Sequence, residues 1–295
     1  MKIAIYGRPF QSAVISYVQE LFDLLEQQQV EVWVHHHFNE FLEGKIVDRR
    51  YHTYASYQDL PSDIQFMLSL GGDGTMLAAV SIIADSGIPV TGINFGRLGF
   101  LASINKDKIK GALAALLEGN YDIEKRVLLA TYKEIGGQST LPSLSFALND
   151  MTVMKKDSSA MITVHAYVNN ELLNAYWADG LIIATPTGST AYSLSCGGPI
   201  VMPGSGNFII TPISPHNLNV RPIVLGDSSV LRIEVESRSD SFLFSYDSHT
   251  ESVDTGAIIH IRRADFMVNL IRLKHESFFS TIRHKLLWGL DTRNY

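Results

Sequence analysis

Short apolar segments alternate with helical segments over the first third of the chain, and this alternation most restricts the fold. Apolar runs occupy 2–6, 30–34, 64–70 and 89–93, and apolar residues recur at helical spacing in 11–28, 75–84 and 108–117. Strands that alternate with helices form right-handed βαβ units around a parallel sheet. The first part of the chain is therefore predicted to be an α/β domain.

The pattern changes after about residue 121. Apolar runs that read as strands follow at 124–133, 144–154, 162–168, 172–175, 181–184, 208–211, 230–236, 242–246 and 257–262. Regularly spaced short strands with few helices are typical of an all-β domain. An amphipathic helix is predicted at 278–288, where it is expected to return to the first domain. The predicted domains are 1–104 with 276–295, and 105–275.

The composition restricts the class of partner. The chain has 295 residues, 30 acidic and 24 basic, and a net charge of −6, which argues against general nucleic-acid binding. Cys196 is the single cysteine, so no intrachain disulfide forms. The N-terminus lacks a signal-peptide layout, and no apolar run approaches the roughly 18 residues that span a bilayer. We expect a cytoplasmic protein without a membrane partner.

Three glycines surround one carboxylate directly after the third apolar run. Residues 71–75 read Gly-Gly-Asp-Gly-Thr. In one interpretation this is a strand-to-helix turn in which Asp73 or Thr75 caps the helix. In the other, glycine lets backbone N–H groups approach a phosphate at a helix N-terminus, and Asp73 faces the reacting group. The loop alone does not decide between them.

Two later stretches offer a similar choice. Residues 185–195 combine hydroxyls with glycine after an apolar run, a composition that suits a polar, phosphate-bearing ligand or a turn-rich connection. At Asn149-Asp150, an amide stands beside a carboxylate. The pair suits the diol of a ribose, because the carboxylate accepts from the diol and the amide donates or accepts. Alternatively, the pair only marks a turn.

Together these stretches resemble the NAD kinase family. The resemblance rests on the loop at 71–75, Asn149-Asp150, Asp179-Gly180 and Thr-Pro-Thr-Gly-Ser-Thr-Ala-Tyr at 185–192, with support from 92–101, Pro215-His216 and Arg221-Pro222. It covers nearly the whole chain. The glycine loop is shared with lipid kinases and phosphofructokinases, whereas the motif at 185–192, at this distance from the loop, is specific to NAD kinases.

The resemblance implies that ATP phosphorylates the adenosine-ribose 2′-hydroxyl of NAD, which yields NADP. It implies a doubly wound N-terminal domain, a β-sandwich-like C-terminal domain and an active site in the cleft between them. It also implies a homodimer or homotetramer whose subunits share parts of the site. The chain shows no dedicated cage for Mg²⁺, so Mg²⁺ or another divalent cation is expected to arrive with ATP.

The resemblance also assigns roles to individual residues. Asp73 would orient the 2′-hydroxyl and accept its proton, and the phosphate loop would comprise Gly71, Gly72, Gly74 and Thr75. The implied NAD-binding residues are Asp73, Gly74, Asn149, Asp150, Trp177, Asp179, Thr187, Thr190, Ala191, Tyr192, Ser193, Ser195 and His249. No metal-ligating residue is implied.

Three positions depart from the family pattern. Asp150 stands where many relatives have glutamate, so its carboxylate reaches one methylene less far. Trp177 lies where some relatives carry arginine, and it has no charge to offer a pyrophosphate. His249 lies where some relatives have an amide.

Other features of the sequence bear on the phosphate donor, on metal binding and on rival functions. No P-loop motif occurs, so the donor phosphates are not held in the P-loop manner. The histidines at 35–37 read as a solvated strand end rather than a metal site, and Cys196 reads as a small wall residue rather than a nucleophile. The rival functions are a lipid or sugar-phosphate kinase that shares the glycine loop, and a non-catalytic dinucleotide sensor.

Overall fold

The structure is a computed structural model that describes residues 1–47, 51–96, 99–136, 138–157, 160–274 and 277–288, with side chains left undescribed at 138–144. Its contacts divide the chain into two compact units. The first comprises Met1–Lys125 and Val268–Tyr295, and the second Arg126–Met267. These units place 105–125 and 268–275 with the N-terminal residues. The predicted domain bounds remain a prediction.

The first unit contains a parallel sheet with helices in its connections. Its strands are β1 (Lys2–Gly7), β2 (Glu31–His35), β3 (His52–Tyr54), β4 (Phe66–Leu70), β5 (Val90–Asn94) and β6 (Ile104–Asn105), and its helices α1 (Ile15–Gln27), α2 (His36–Leu42), α3 (Asp73–Ile83) and α4 (Ile109–Leu117). The strand order is β3-β2-β1-β4-β5-β6, and every pair is parallel. The predicted α/β architecture is confirmed.

The helices of this unit differ in how they are buried. α1 buries Val18, Leu21, Phe22 and Leu25, the single stripe expected of an amphipathic helix. α3 buries every residue from Thr75 to Val80, so it is covered on most sides. A helix that is covered in this way keeps a fixed position, and its first turn carries the glycine loop.

The second unit is built from antiparallel strands. They are β7 (Tyr121–Ile135), β8 (Gln138–Ala147), β9 (Asp150–Met154), β10 (Ile162–Val168), β11 (Glu171–Ala178), β12 (Gly180–Ala184), β13 (Asn207–Ile213), β14 (Ile223–Gly226), β15 (Leu231–Glu236), β16 (Ser241–Tyr246), β17 (His249–Asp254) and β18 (Ile258–Leu273), with the short helix α5 (Tyr192–Ser195). The chain enters this unit within β7 and leaves it within β18.

Two groups of strands share the core of the second unit. One has the order β14-β13-β12-β9-β16-β17, and the other contains β11-β10-β15-β18. Inward side chains of both, such as Ile183 and Phe244 from the first and Val164 and Ile233 from the second, form one buried cluster. The predicted β-sandwich-like domain is confirmed. The last helix, α6 (Phe278–Leu286), belongs to the first unit, as predicted.

Some predicted elements have different bounds. The predicted strand at 144–154 is two strands, β8 and β9, interrupted at Leu148-Asn149 because the N–H groups there bind a side chain instead of a neighbouring strand. α3 begins at Asp73 rather than at residue 75. Within the described ranges, no helix is long and apolar enough to cross a membrane.

Candidate active site

Gly71 and Gly72 form the turn between β4 and α3. Gly71 has a φ of +151°, and a Cβ there would lie 2.3 Å from Oγ1 of Thr75, so the position admits only glycine. Gly72 is the N-cap residue, and its carbonyl accepts the N–H groups of Thr75 and Met76 at 3.0 and 3.1 Å. The strand-to-helix turn with a positive-φ glycine is confirmed, but neither Asp73 nor Thr75 is the N-cap residue, so that part of the interpretation is wrong.

Gly72 and Gly74 leave space beside the start of α3. A Cβ added at either position would meet no atom within 4 Å. The N-terminus of a helix carries partial positive charge and unpaired N–H groups, which attract anions. The two glycines therefore keep this end of α3 open to a phosphate, whereas Gly71 serves the turn.

The carboxylate of Asp73 binds three consecutive backbone N–H groups. Phe100 donates to Oδ2 at 2.7 Å, and Leu101 and Ala102 donate to Oδ1 at 3.1 and 3.0 Å. An ionised carboxylate offers about four acceptor positions, so about one remains for a further donor. The side chain is thus fixed in place and still able to accept from a hydroxyl.

Two further glycines allow this arrangement. A Cβ at Gly99 would lie 1.6 Å from Oδ1 of Asp73, and a Cβ at Gly92 would lie 2.7 Å from Cβ of Ala102. Side chains at these two positions would push the segment after residue 99 away from Asp73. In the sequence, the only signal for these two glycines is the family resemblance at 92–101.

A cation from the last helix lies near the same carboxylate. Lys285 of α6 places Nζ 4.6 Å from the centre of the Phe100 ring, and it interacts electrostatically with Asp73. Burial lowers the pKa of Lys285, and the charge of Asp73 raises it. The sequence predicts an amphipathic helix at 278–288 that returns to the first domain, and its pattern does not single out Lys285.

In the second unit, a carboxylate absent from the sequence prediction organises the Asn149-Asp150 pair. Asp247 accepts the N–H of Leu148 on Oδ2 at 2.7 Å, and those of Asn149 and Asp150 on Oδ1 at 2.8 and 3.3 Å. The N–H of Asp247 donates in return to the carbonyl of Asp150 at 3.0 Å. No motif in the sequence singles out Asp247.

Asp150 and Asp247 form a pair of acids in a poorly hydrated environment. Burial raises the pKa of Asp150 to about 7, the charge of Asp247 adds to this shift, and a hydrogen bond from Thr152 opposes it. Burial likewise raises the pKa of Asp247 to about 6, against the backbone hydrogen bonds and the charge of His249. Both groups therefore titrate near neutral pH instead of near pH 4.

The hydroxyl-rich motif begins against the Asn149-Asp150 pair. The hydroxyl of Thr185 donates to the carbonyl of Leu148 at 2.5 Å, and the N–H of Thr185 donates to the carbonyl of Asn149 at 2.9 Å. A Cβ at Gly188 would lie 2.0 Å from that carbonyl oxygen of Asn149, so only glycine permits this approach. The structure thus brings together two motifs that are separate in sequence.

Several hydroxyls of the motif bind protein groups. The hydroxyl of Thr187 accepts from Arg126 at 3.3 Å, that of Thr190 donates to the carbonyl of Thr187 at 3.3 Å, and that of Ser193 shares a hydrogen bond of 2.8 Å with Thr211. Ser193 is fully buried. Ala191 is half-buried, whereas Tyr192 and Ser195 are exposed.

Tyr192 and Cys196 interact electrostatically with Asp150, and Asp179 interacts with Tyr192. Burial raises the pKa of Tyr192, and the charges of Cys196, Asp150 and Asp179 add to the shift. Burial and the charge of Asp150 raise the pKa of Cys196, so its thiol stays protonated at neutral pH and is a poor nucleophile. Lys155 forms an ion pair with Asp179 at 2.6 Å.

Trp177 and His249 have neighbours of their own. The ring of Trp177 lies 4.2 Å from that of His216, in a groove of about 510 Å³ lined by 174–177, 215–218 and Val220. His249 is exposed and stacks on Tyr246 with ring centres 5.4 Å apart. The structure gives neither side chain a hydrogen bond to another predicted site residue among the described contacts.

The histidine run was interpreted incorrectly. His35 ends β2 and is only 5% exposed, and His36 and His37 begin α2, so the three do not form a solvated strand end. Burial, with the neighbouring His36 and His37, lowers the pKa of His35 to about 4. No group of three or more His, Cys, Asp or Glu residues in the described part of the chain could hold a metal ion.

Comparison with known proteins identifies the family. The sequence profile of the ATP-NAD kinase N-terminal domain matches residues 3–121, and that of the ATP-NAD kinase C-terminal domain matches residues 148–273. The NAD kinase of Flavobacterium psychrophilum is 44% identical over 295 residues, which cover 100% of both chains. That of Cytophaga hutchinsonii is 44% identical over 296 residues, again with 100% of both chains covered.

Solved structures share the fold. Yeast NADH kinase in complex with NADH superimposes with a TM-score of 0.89 at 24% identity, over 99% of this chain and 88% of that one. An NAD kinase from Archaeoglobus fulgidus in complex with ATP gives 0.69 at 23% identity, over 96% of this chain and 99% of that one. With both profiles and the full-length relatives, the chain belongs to the NAD kinase family.

Proposed function

We propose how the described residues carry out the reaction of this family, the ATP-dependent phosphorylation of NAD to NADP. Asp73 is assigned as the acid at the 2′-hydroxyl of the adenosine ribose. It accepts a hydrogen bond from the hydroxyl, orients it and takes its proton as the bond to phosphorus forms. General base catalysis of this kind contributes typically about 100- to 10,000-fold in rate.

One observation carries this assignment. The Asp73 carboxylate is fixed by three N–H donors, and the neighbouring positions Gly72 and Gly74 face open space. A fixed acid next to an open helix N-terminus satisfies the two needs of phosphoryl transfer, which are positioning and charge stabilisation.

The phosphate loop is assigned to Gly71, Gly72, Gly74 and Thr75, each in a different role. Gly71 sets the turn, Thr75 fills the space that glycine leaves at residue 71, and the N–H groups at the start of α3 face the donor phosphates. Mg²⁺ or another divalent cation arrives with ATP as part of the donor substrate and neutralises its phosphate oxygens.

The second unit is assigned to dinucleotide binding. Asn149 and Asp150 bind a ribose diol, and Asp179, the exposed Tyr192 and Ser195 contact the base and nicotinamide ends. The wall of the pocket is assigned to Thr187, Thr190, Ala191 and Ser193. Their hydroxyl groups, and the N–H of Ala191, already form hydrogen bonds within the protein. Trp177 and His249 are assigned to NAD as exposed aromatic side chains.

The proposal extends to the setting of the enzyme. We propose a homodimer or homotetramer in the cytoplasm, on the strength of the family resemblance. Gel filtration with light scattering at several concentrations tests the oligomer, and fractionation of the source cells tests the location. A single monomeric mass at all concentrations would contradict the oligomer.

The test of the assigned reaction uses Asp73→Asn. NADP formation from NAD and Mg-ATP is measured in a coupled assay, and NAD binding is measured by calorimetry. We expect turnover to fall at least about 100-fold while NAD still binds, because the amide cannot accept a proton. Asp122→Asn, an exposed carboxylate of β7, is the matched control and should retain turnover.

Each outcome separates the functions considered. Near-normal turnover in Asp73→Asn would refute the role of Asp73. A wild-type protein that binds NAD without producing NADP would be a dinucleotide sensor. Phosphate transfer to a lipid or sugar phosphate in place of NAD would identify another kinase of the glycine-loop class.

A further inference from the structure

Asp247 occupies a position that the reaction does not by itself explain. It lies in the turn between β16 and β17 with a φ of +49°, a conformation that aspartate tolerates better than most residues. Its carboxylate and its N–H both bind residues 148–150, about a hundred residues earlier in the chain. The turn is therefore attached to the Asn149-Asp150 pair and not only to its own hairpin.

Only a carboxylate can satisfy these three donors together. With asparagine at residue 247, one side-chain oxygen would remain and the other position would become an NH₂ group. If that oxygen accepted the N–H groups of Asn149 and Asp150, the NH₂ group would face the N–H of Leu148, which in the wild type lies 2.7 Å from Oδ2 of Asp247. At least one N–H would lose its acceptor, and an unsatisfied donor of this kind is unfavourable.

We propose that Asp247 is a positioning residue for NAD, which holds the backbone of 148–150 so that the side chains of Asn149 and Asp150 meet the ribose. This rests on the proposed ribose-binding role of that pair. Thr185 holds the opposite side of the same segment through the carbonyls of Leu148 and Asn149. The segment lies between β8 and β9, and the side chains and N–H groups of Asp247 and Thr185 hold it there.

The same contact places a second negative charge beside Asp150. The titratable groups that interact electrostatically with Asp150 are Asp247, Tyr192 and Cys196. The hydroxyl of Thr152 donates to Oδ1 of Asp150 at 3.2 Å. The charge of His249 acts on Asp247. An ionised Asp150 accepts hydrogen bonds from both hydroxyls of a diol, whereas the protonated acid accepts fewer. NAD affinity is therefore expected to rise with pH through the titration of Asp150.

The variants Asp247→Asn and Asp247→Glu test the proposal. For Asp247→Asn we expect the KM and the calorimetric Kd for NAD to rise at least about tenfold, equivalent to ~1.4 kcal/mol, while kcat and the KM for ATP stay within about twofold. The midpoint of the pH dependence of NAD affinity should move to lower pH, because the negative charge of Asp247 no longer raises the pKa of Asp150. Asp247→Glu keeps the charge but moves the carboxylate, so the NAD constants should rise without that pH shift.

The control is Asp254→Asn, an exposed carboxylate at the far end of β17, which should leave every constant unchanged. Unchanged NAD constants in folded Asp247→Asn would overturn the proposal, as would equal rises for NAD and ATP without a pH shift. If Asp247→Asn fails to fold, the NAD constants of Asp247→Glu decide. A wild-type protein that makes no NADP would instead refute the proposed function.

Discussion

The variant Gly99→Ala displaces the carboxylate of Asp73 without changing its chemistry. The new Cβ would lie 1.6 Å from Oδ1 of Asp73, where ordinary contact begins at 3.4 Å. Either the carboxylate or the segment after residue 99 must therefore move by about 2 Å, and a misplacement of even ~1 Å can cost about 100-fold in rate. We expect kcat for NADP formation to fall about 100-fold.

The stability change follows from the hydrogen bonds that are lost. Asp73 accepts from three N–H groups, and hydrogen bonds to charged groups contribute roughly 1.5–3 kcal/mol each when nothing replaces them. Asp73 and Phe100 are only half-buried, so water replaces part of this energy. We expect a total loss of about 2–4 kcal/mol, which lowers Tm by roughly 3–6 °C in a protein of this size.

The assay compares kcat, the calorimetric Kd for NAD and Tm with those of Gly111→Ala. Gly111 is an exposed residue of α4 whose added Cβ would meet nothing within 4 Å. That control should gain about 0.5–1 kcal/mol from its better helix propensity and keep its turnover. A lowered Tm with a normal kcat in Gly99→Ala would refute the need for a fixed Asp73 carboxylate. An unchanged Tm together with an unchanged kcat would refute the close approach of residue 99 to Asp73.

Two further predictions concern charge. In the folded protein, Asp150 keeps its proton up to about pH 7, whereas the unfolded chain releases this proton near pH 4. The free energy of unfolding should therefore fall as pH rises from about 4 to about 7, by roughly 1.4 kcal/mol for each unit by which the pKa is raised. In urea unfolding between pH 5 and 8, the free energy of unfolding of Asp150→Asn should depend less steeply on pH than that of the wild type, and Asp247 should account for the remaining pH dependence. An unaltered slope would contradict the raised pKa of Asp150. Lys285→Met, which removes the cation near Asp73, should lower kcat about tenfold and leave the Kd for NAD unchanged, because a positive charge beside the transferred phosphoryl group stabilises it. Lys285→Arg should retain most of the rate. Equal kcat values for Lys285→Met and Lys285→Arg would rule out a role for the positive charge at residue 285.

The sequence predicted the architecture well because its pattern is local. Alternating apolar and helical segments predicted the parallel sheet of the first unit, and short spaced runs predicted the β-rich second unit. Local pattern failed at Leu148-Asn149, where one strand was predicted over 144–154 and a distant carboxylate divides it in two. It failed again at His36, because nothing nearby marked the start of α2.

The motifs mark the segments of the candidate site, but they do not predict the contacts that hold these segments in place. The composition of 185–195 suits either a ligand or a turn-rich connection, and neither gives the structural reason for Gly188, which is the carbonyl oxygen of Asn149, 2.0 Å from where a Cβ would be. Lys285 had no signal at all, because an amphipathic helix looks the same whether its cation faces solvent or an acid.

The two aspartates show why such contacts escape a reading of sequence. Asp73 binds N–H groups 27 to 29 residues away and Asp247 binds those 97 to 99 residues away, and in each case one oxygen takes one donor while the other takes two. Every residue except proline carries such a donor, so the partner segment needs no particular side chain. The same geometry means that an Asp→Asn change alters structure and chemistry together. A role in catalysis is therefore established only when displacement of the intact carboxylate, as in Gly99→Ala, lowers the rate as much as its replacement does.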